Sequence, residues 1–212
     1  MPTLEQAQSW YPVDPVHGFD HVQRVYRLAS HIALVEGADQ AIVQAAALLH
    51  DAYDESITPA AESRTTHHHA SATFAAQILT GEGWNADAIA AVQHCIRAHR
   101  FRDDSEAPES LEARILFDAD KVDAIGAIGV VRAVAYAITH HNPTYAEPSP
   151  QFLVSGKLAE GELHSAYHEY LFKLRKLKDR LYTPTARAIA EERHKFMKAF
   201  FQQLREEMGW LG

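Results

Sequence analysis

The residues of this chain best suited to chemistry are an adjacent histidine and aspartate, His50-Asp51, at the end of an apolar helical run. The run, Ala45-Ala-Ala-Leu-Leu49, is typical of a buried helix, where an unpaired charge is costly. Imidazole nitrogen and carboxylate oxygen are ligands that suit first-row divalent cations. A lone histidine, His21, precedes the pair, and an Asp-rich helix, Phe117-Asp-Ala-Asp-Lys121, follows it. The sequence therefore predicts a mixed His/Asp metal site.

The Asp-rich helix offers two carboxylates, but only one of them can reach that site. Asp118 and Asp120 are separated by about 200° around a helix, so they face different neighbours. Asp120 shares a stripe with Leu116 and Ala127, where a carboxylate needs a cation, and we favour it as the ligand. Asp118 would then either hydrogen-bond to one of the metal ligands or serve in helix packing. The structural alternative for the whole site is that Asp51 caps the next segment and His50 is a hydrogen-bonded core residue.

Fourteen histidines give the chain further candidates for metal or phosphate binding. His67-His68-His69 are consecutive, and since neighbouring helical residues diverge, at most two of them can point inward. A solvated run explains them equally well. His94 and His99 lie on neighbouring turns of one helix, and His99 shares its apolar face. The sequence leaves open whether His99 is a core residue or a phosphate contact, and whether any of these five histidines binds a second metal.

The elements that must position these residues are nearly all helices. Apolar residues recur at steps of three and four, and strand patterns are short. The predicted helices cover 21–35, 39–51, about 67–79, a segment that starts at Asn85 as N-cap, about 110–139, about 162–182 and 184–209, with a loop over 141–161. Thr183-Pro184 opens the last helix as N-cap and first-turn proline. We expect one all-α domain over residues 1–212, a core over about 17–140 with C-terminal helices over about 162–209 packed on it.

The long predicted helix over about 110–139 carries two apolar stripes, so we expect it to be packed on both sides. One stripe contains Val122, Ile125, Gly126 and Gly129, and the other contains Leu116, Ala127 and Val131.

Composition and charge restrict the partners. The hydrophobic fraction is 47% and the charged fraction 23%, and the sequence has no apolar run of the roughly 18 residues that a membrane helix needs. The polar N-terminus shows no secretory signal, and the single cysteine, Cys95, fits a reducing compartment, so we expect a cytoplasmic protein. A net charge of −8 disfavours binding to nucleic acid but is compatible with a small phosphorylated ligand held by a metal.

With these residues in place, the chain resembles the HD-domain phosphohydrolase superfamily. His21, His50-Asp51 and Asp120 occur in the order of its H…HD…D pattern, and the resemblance covers residues 17–208. It is closer to one bacterial subgroup, the YedJ/YpgQ-like hydrolases, in these segments: Asp20-His-Val-Gln-Arg-Val25, Ala46-Ala-Leu-Leu-His-Asp51, 112–129, 171–177 and 190–197. Lys121 stands where an arginine is usual, and His99-Arg-Phe stands where His-Ser-Phe is common, which puts the substrate contact at position 100 in doubt.

The resemblance implies an all-helical HD fold with one divalent metal ion: Mn, Co, Ni, Fe or Zn. Its ligands would be His21, His50, Asp51 and Asp120. Asp54 matches the acidic position that takes a proton from water in related enzymes, with Glu55 as the alternative base. Asp54 could instead be a solvated carboxylate at a helix start.

Few residues should supply the positive charge that binds a phosphorylated substrate, because the protein is acidic. Arg24 is one turn beyond His21, Lys121 adjoins Asp120, and Arg64 precedes the histidine run. With His99, these are the expected substrate contacts, although each cation could instead form a surface ion pair.

The function that follows is a metal-dependent phosphohydrolase that acts on a small phosphorylated metabolite, with a nucleotide favoured and phosphate or pyrophosphate released. Two alternatives remain: a non-catalytic nucleotide-binding or regulatory HD module, and a dinuclear-iron HD oxygenase. The oxygenase would need additional inward histidines. Apolar residues near the C-terminus could be core or could join two copies in a homodimer: Phe196, Phe200, Phe201 and Trp210.

Overall fold

The computed structural model describes residues 1–11, 18–52, 60–100 and 106–209, with backbone alone for 60–67, and its regular elements there are all helices. The prediction of an all-α fold is confirmed. The helices in chain order are α1 (Leu4–Gln8), α2 (Phe19–Glu36), α3 (Gln40–Leu49), α4 (Ala60–Gly81), α5 (Ala86–Ala98), α6 (Leu111–Asp123), α7 (Gly126–Thr139), α8 (Pro150–Ser155), α9 (Ala166–Phe172), a 3-10 helix (Leu174–Arg180) and α10 (Pro184–Gly209).

The chain divides into two compact units. Unit 1 comprises Met1–Asp120 and Leu181–Ala186, and unit 2 comprises Lys121–Arg180 and Arg187–Gly212. The expectation of a single domain stays a prediction.

Helix α3 is the centre of unit 1, and it contacts α1, α2, α4 and α5. Its residues from Ala45 to Leu49 are buried, as the apolar run predicts. The local sequence sets its start: Gly37 ends α2 with a φ of +77°, a conformation that glycine adopts at little cost, and the Asp39 side chain then accepts hydrogen bonds from the first amides of α3. The chain therefore reverses between α2 and α3 in a few residues and carries His50 to the end of a buried helix.

Helices α4 and α5 pack against each other in unit 1. The Asn85 side chain accepts a hydrogen bond from the Ala88 amide, so the predicted N-cap of α5 is confirmed. Val92 and Ile96 on the predicted apolar face are buried, and His99 is the buried C-cap residue of the same helix. This arrangement places a second histidine at the end of a helix in unit 1.

The prediction of one helix over about 110–139 is wrong, because α6 ends at Asp123 and a separate helix, α7, begins at Gly126. Ile125 is extended and Gly126, the first residue of α7, has a φ of +80°, so one continuous α-helix cannot pass through these two residues. After the break, residues are rotated differently around the helix axis than one continuous helix would place them, so the predicted apolar stripes do not extend unchanged into α7. The first predicted stripe is buried, but in the second stripe Val131 is 65% exposed and Ala127 is exposed, so packing on both sides is also wrong for α7.

In unit 2 the predicted helix over about 162–182 is divided in the same way. Helix α9 ends at Phe172, Lys173 leaves α-helical geometry, and a 3-10 helix follows. The predicted loop over 141–161 contains the short helix α8, which Ser149 caps. Of the aromatic residues near the C-terminus, Phe201 is buried and stacks on Tyr170, whereas Phe196 is exposed; Trp210 lies outside the described residues, and the homodimer stays a prediction.

The C-terminal segment of unit 1 is tied to α6 by one buried carboxylate. Asp118 accepts hydrogen bonds from the Tyr182 amide at 2.9 Å and from the amide and hydroxyl of Thr183, both at 2.7 Å. Thr183 in turn caps α10 by accepting a hydrogen bond from the Ala186 amide, as predicted. Asp118 therefore fixes the segment 181–186 in unit 1.

No single helix among residues 1–11, 18–52, 60–100 and 106–209 has the length and apolar composition to cross a membrane. The bent pair of α6 and α7 meets that test only when the two helices are taken together.

Candidate metal centre

Three helices of unit 1 bring the predicted ligands together. His21 lies in the first turn of α2, His50 is the C-cap residue of α3 with Asp51 directly after it, and Asp120 lies near the end of α6. One nitrogen from each histidine and one oxygen of Asp51 all lie within 4.8 Å of one another. These residues are far apart in the sequence, so the cluster depends on tertiary packing.

The distances place Asp51 between the histidines and Asp120 beside His21. Asp51 Oδ2 is 3.4 Å from His50 Nε2 and 4.0 Å from His21 Nε2, and Asp120 Oδ1 is 3.5 Å from His21 Nε2. The His50 side chain is fully buried, whereas the side chains of Asp51 and Asp120 are 29% and 19% exposed. The imidazoles therefore form the floor of the site, and the carboxylates lie closer to solvent.

A backbone contact fixes the tautomer of His50. Its Nδ1 donates a hydrogen bond to the Ala47 carbonyl at 2.9 Å, and since a carbonyl oxygen can only accept, Nδ1 carries the proton. In the neutral ring, Nε2 then presents a lone pair to the cluster. That buried atom makes no hydrogen bond to the described residues. A buried imidazole nitrogen without a hydrogen bond, facing carboxylate oxygens, fits a divalent metal ligand.

His99 repeats this arrangement on the other side of Asp51. Its Nδ1 donates to the Ile96 carbonyl, and its Nε2 lies 3.6 Å from Asp51 Oδ1. The His99 and His50 rings are 5.3 Å apart. His99 thus lies at the edge of the cluster, and its predicted substrate contact stays a prediction.

The charge of Asp51 controls protonation in the cluster. Burial lowers the pKa of His50, but the adjacent Asp51 carboxylate, and more weakly Asp120, outweigh it and raise this pKa to about 9. For Asp51, burial raises the pKa, yet His50 and His99 hold it well below its usual range. Without a metal, the cluster therefore holds a proton on His50 and a negative charge on Asp51 at neutral pH.

The two aspartates of α6 occupy different environments, as their rotation around the helix predicts. Asp120 faces His21, whereas Asp118 is buried and its oxygens accept three hydrogen bonds from residues 182 and 183. Asp118 therefore has a structural role, and Asp120 as the fourth ligand stays a prediction.

The remaining predicted site residues differ in burial, and some of them lie outside the described residues. Arg24 is half-buried on α2, one turn after His21, and Lys121 is half-buried and follows Asp120 in α6. Asp54 and Glu55 lie outside the described residues, as do the side chains of Arg64 and His67. Among the other histidines, His68 is buried, His69 is exposed, and His94 Nδ1 is 2.7 Å from Glu106 Oε1, in a pair that does not include the cluster residues.

Sequence reasoning missed two contacts, one at the end of α3 and one between α4 and the residue that follows His99. The Tyr11 hydroxyl donates a hydrogen bond to the Leu48 carbonyl at 2.8 Å, which supports the end of α3. Burial, and then the charge of Asp51, raises the Tyr11 pKa well above its usual range. Arg100, which follows His99, contacts His68. No local pattern marks Tyr11, but the position of Arg100 directly after an inward histidine was a signal.

Comparison with known proteins identifies the family. The model of the HD domain matches residues 18–125, which include all four predicted ligands. The YpgQ protein of Bacillus subtilis is 36% identical over 213 residues, an alignment that covers 96% of this chain and 93% of YpgQ. This chain belongs to the HD domain family.

Solved structures of HD-family relatives have the same fold. The structure of Bacillus subtilis YpgQ in complex with ADP matches with a TM-score of 0.71 and 29% identity, covering 97% of both chains. An HD-superfamily hydrolase from Bacillus thuringiensis matches with a TM-score of 0.71 and 25% identity, covering 97% of this chain and 96% of that one. The chain is thus similar over nearly its whole length to YpgQ and to an HD-superfamily hydrolase.

The two aspartates of α6 should respond differently to substitution. Asp118→Ala removes the acceptor of the Tyr182 amide and of the buried amide and hydroxyl of Thr183, so we expect the free energy of unfolding to fall by about 2–5 kcal/mol. Asp120→Asn should leave the unfolding of metal-free protein nearly unchanged and weaken metal binding by more than the roughly 10–100-fold that loss of an outer partner causes. Urea unfolding in chelator and metal titration measure the two effects. Equal loss of metal affinity in both folded variants would contradict the assignment.

Metal binding should release a proton from the cluster. Because the His50 pKa is raised to about 9, Nε2 is protonated at pH 7 and must lose that proton to bind an ion. The apparent metal affinity should therefore rise about tenfold per pH unit between pH 6 and 8. Calorimetry in buffers of different ionisation enthalpy counts the protons, and we expect about one per metal. His31→Ala, which removes an exposed histidine of α2, is the control and should not change that number. A count of zero would show that His50 is already neutral.

Proposed function

We propose that this chain is a metal-dependent phosphohydrolase whose substrate is a nucleotide. The observation that carries the proposal is the convergence of His21, His50 and Asp51 in unit 1, with Asp120 Oδ1 at 3.5 Å from His21. Membership of the HD family and similarity to HD-superfamily hydrolases support the same reaction class.

The proposed ligands of the metal are His21, His50, Asp51 and Asp120, and Mn, Co, Ni, Fe or Zn would suit two imidazoles and two carboxylates. When bound, the ion would polarise a phosphoryl oxygen and lower the pKa of a bound water. The protein orients its side of the site before any ligand arrives. The hydrogen bond from His50 Nδ1 to the Ala47 carbonyl holds the His50 ring in place. The neighbouring imidazoles of His50 and His99 keep Asp51 ionised.

The general base is proposed from the sequence alone. Asp54 would accept the proton of the attacking water, with Glu55 as the alternative. Arg24, on the same face of α2 as His21, would contribute positive charge to the substrate phosphate, and His99 would contact the same group. Arg64 and Lys121 stay candidates for this role.

A nucleotide is the favoured substrate because the structure of YpgQ contains ADP and that protein matches this chain over nearly its whole length. Attack at the α-phosphorus of a nucleoside triphosphate would release pyrophosphate. Attack at a terminal monoester would release phosphate. The proposal includes both outcomes, and the products distinguish them.

The experiment that tests the proposal is the release of phosphate and pyrophosphate from a nucleotide panel. Chelator-treated protein, with Mn, Co, Ni or Mg added back, should hydrolyse one class of nucleotide and be inactive without metal. Metal content should be one ion per chain. Binding without turnover of any nucleotide would instead indicate a regulatory module, and two redox-active irons per chain would indicate an oxygenase.

Substitutions separate the metal ligands from the proposed base. Asp51→Ala should abolish metal binding and turnover together. Asp54→Ala should keep the metal and lower kcat by about 10²–10⁴-fold, since a general base contributes that much. Glu55→Ala is the matched control and should reduce the rate less. If Asp54→Ala retains nearly full activity, the base assignment is wrong.

A further inference from the structure

One side chain from the N-terminal segment contacts both helices that carry the predicted histidine ligands. The Tyr11 hydroxyl donates a hydrogen bond to the Leu48 carbonyl at 2.8 Å, and the ring centroids of Tyr11 and Phe19 are 6.0 Å apart. Phe19 is the first residue of α2 and precedes His21 by two positions. Leu48 lies near the end of α3 and precedes His50 by two positions. Tyr11 thus joins the start of α2 to the end of α3.

The hydroxyl provides a hydrogen bond that the end of α3 cannot make internally. The last carbonyls of a helix have no partner within it. The Ala47 carbonyl accepts from His50 Nδ1, and the next carbonyl, that of Leu48, accepts from Tyr11. Because Leu48 is buried, water cannot easily replace the hydroxyl if it is removed. Tyr11 therefore fixes the peptide group next to the one that orients the His50 ring.

The Tyr11 oxygen also faces the backbone that follows His50. Burial, and then the charge of Asp51, raises the Tyr11 pKa, and hydrogen bonds from the amides of Asp51 and Ala52 oppose this rise. The pKa stays well above its usual range, so the hydroxyl is protonated and donates to Leu48 while its oxygen accepts from these amides. One hydroxyl thus holds the chain before and after His50.

Apolar packing joins the same elements. One buried cluster contains a residue from each of the helices α1, α2 and α3: Ala7, Val22 and Leu48. Tyr11 and Phe19 pack against this cluster. Val22 directly follows His21, so the N-terminal segment packs against the neighbours of both histidine ligands.

The spacing between α2 and α3 limits what the cluster can bind. Bonds from an ion such as zinc to nitrogen or oxygen are about 2.0–2.2 Å long, so two ligand atoms of one ion are at most about 4.4 Å apart. His21 Nε2 lies 4.0 Å from Asp51 Oδ2. A shift of one ångström between the two helices could therefore prevent both residues from reaching the same ion.

We propose that Tyr11 is a positioning residue for the metal centre, which holds His21 within reach of an ion bound by His50 and Asp51. The proposal rests on the proposed function, because it assumes that these residues bind a metal ion. The match to the HD domain begins at residue 18, so the positioning residue lies outside the matched region. The metal affinity would then depend on a segment that precedes the family match.

The first test is a metal titration that needs no turnover. Chelator-treated full-length protein is titrated with Mn²⁺ by calorimetry. Tyr11→Phe keeps the ring and removes only the hydroxyl, and we expect the affinity to fall about tenfold, the lower end of the roughly 10–100-fold that loss of an outer partner causes. Tyr26→Phe is the matched control, because Tyr26 packs against the same cluster, and it should leave the affinity unchanged.

The second test uses metal-free protein, in which hydrogen exchange measured by NMR reports on the amides of Asp51 and Ala52. Tyr11→Phe should speed their exchange by about tenfold, which corresponds to the loss of one hydrogen bond. Leu4→Ala removes apolar packing from the same cluster without removing the hydroxyl. It should lower stability to urea but keep the Mn²⁺ affinity, whereas a merely structural role of Tyr11 predicts parallel losses in both variants.

The results that would overturn this role differ from those that would overturn hydrolysis. An unchanged Mn²⁺ affinity in Tyr11→Phe, an equal loss in Tyr26→Phe or Leu4→Ala, or a wild-type protein that binds no metal contradicts the role of Tyr11. If metal binding depends on Tyr11 while no nucleotide is hydrolysed, the positioning role stands and the proposed activity fails. If Tyr11→Phe binds Mn²⁺ normally while the wild type hydrolyses a nucleotide, the proposed activity stands alone.

Discussion

The site depends on one carboxylate between two imidazoles of fixed orientation. His50 and His99 each donate Nδ1–H to a carbonyl three residues earlier, of Ala47 and Ile96, and each directs Nε2 toward a different oxygen of Asp51. Both histidines are C-cap residues, so the negative ends of two helix dipoles approach the same carboxylate. Such a concentration of electron-rich groups is stable only with a proton or a cation among them. Helix α3 is packed on several sides, and this packing holds His50 and Asp51 in place.

Features with a local cause were predictable from the sequence. The predicted caps at Asn85 and Thr183 are set by side chains within three residues of the amides they bind, and the structure contains both. The burial of α3 followed from its wholly apolar run. The separation of Asp118 from Asp120 followed from helical rotation alone.

Other features depend on tertiary contacts or on a single backbone angle, and these were not predictable. The apolar period continues through residues 124 and 125, so nothing in the pattern indicates the break that Gly126 permits with its positive φ. The hydrogen bond from Tyr11 to the end of α3 and the contact of His68 with Arg100 join residues that are 37 and 32 positions apart. Such contacts require the packed helices, because no local rule connects the partners.

The hydrogen bonds of Asp118 link the region that matches the HD family to a later segment of the chain. The family match ends at residue 125, yet unit 1 includes residues 181–186, and three of the hydrogen bonds that hold them end on a carboxylate inside the matched region. A fragment cut at the boundary of the match would expose that carboxylate and lose its partners. The compact unit that contains the candidate metal centre is therefore discontinuous in sequence, and it includes a segment that the polypeptide supplies more than fifty residues after the family match ends.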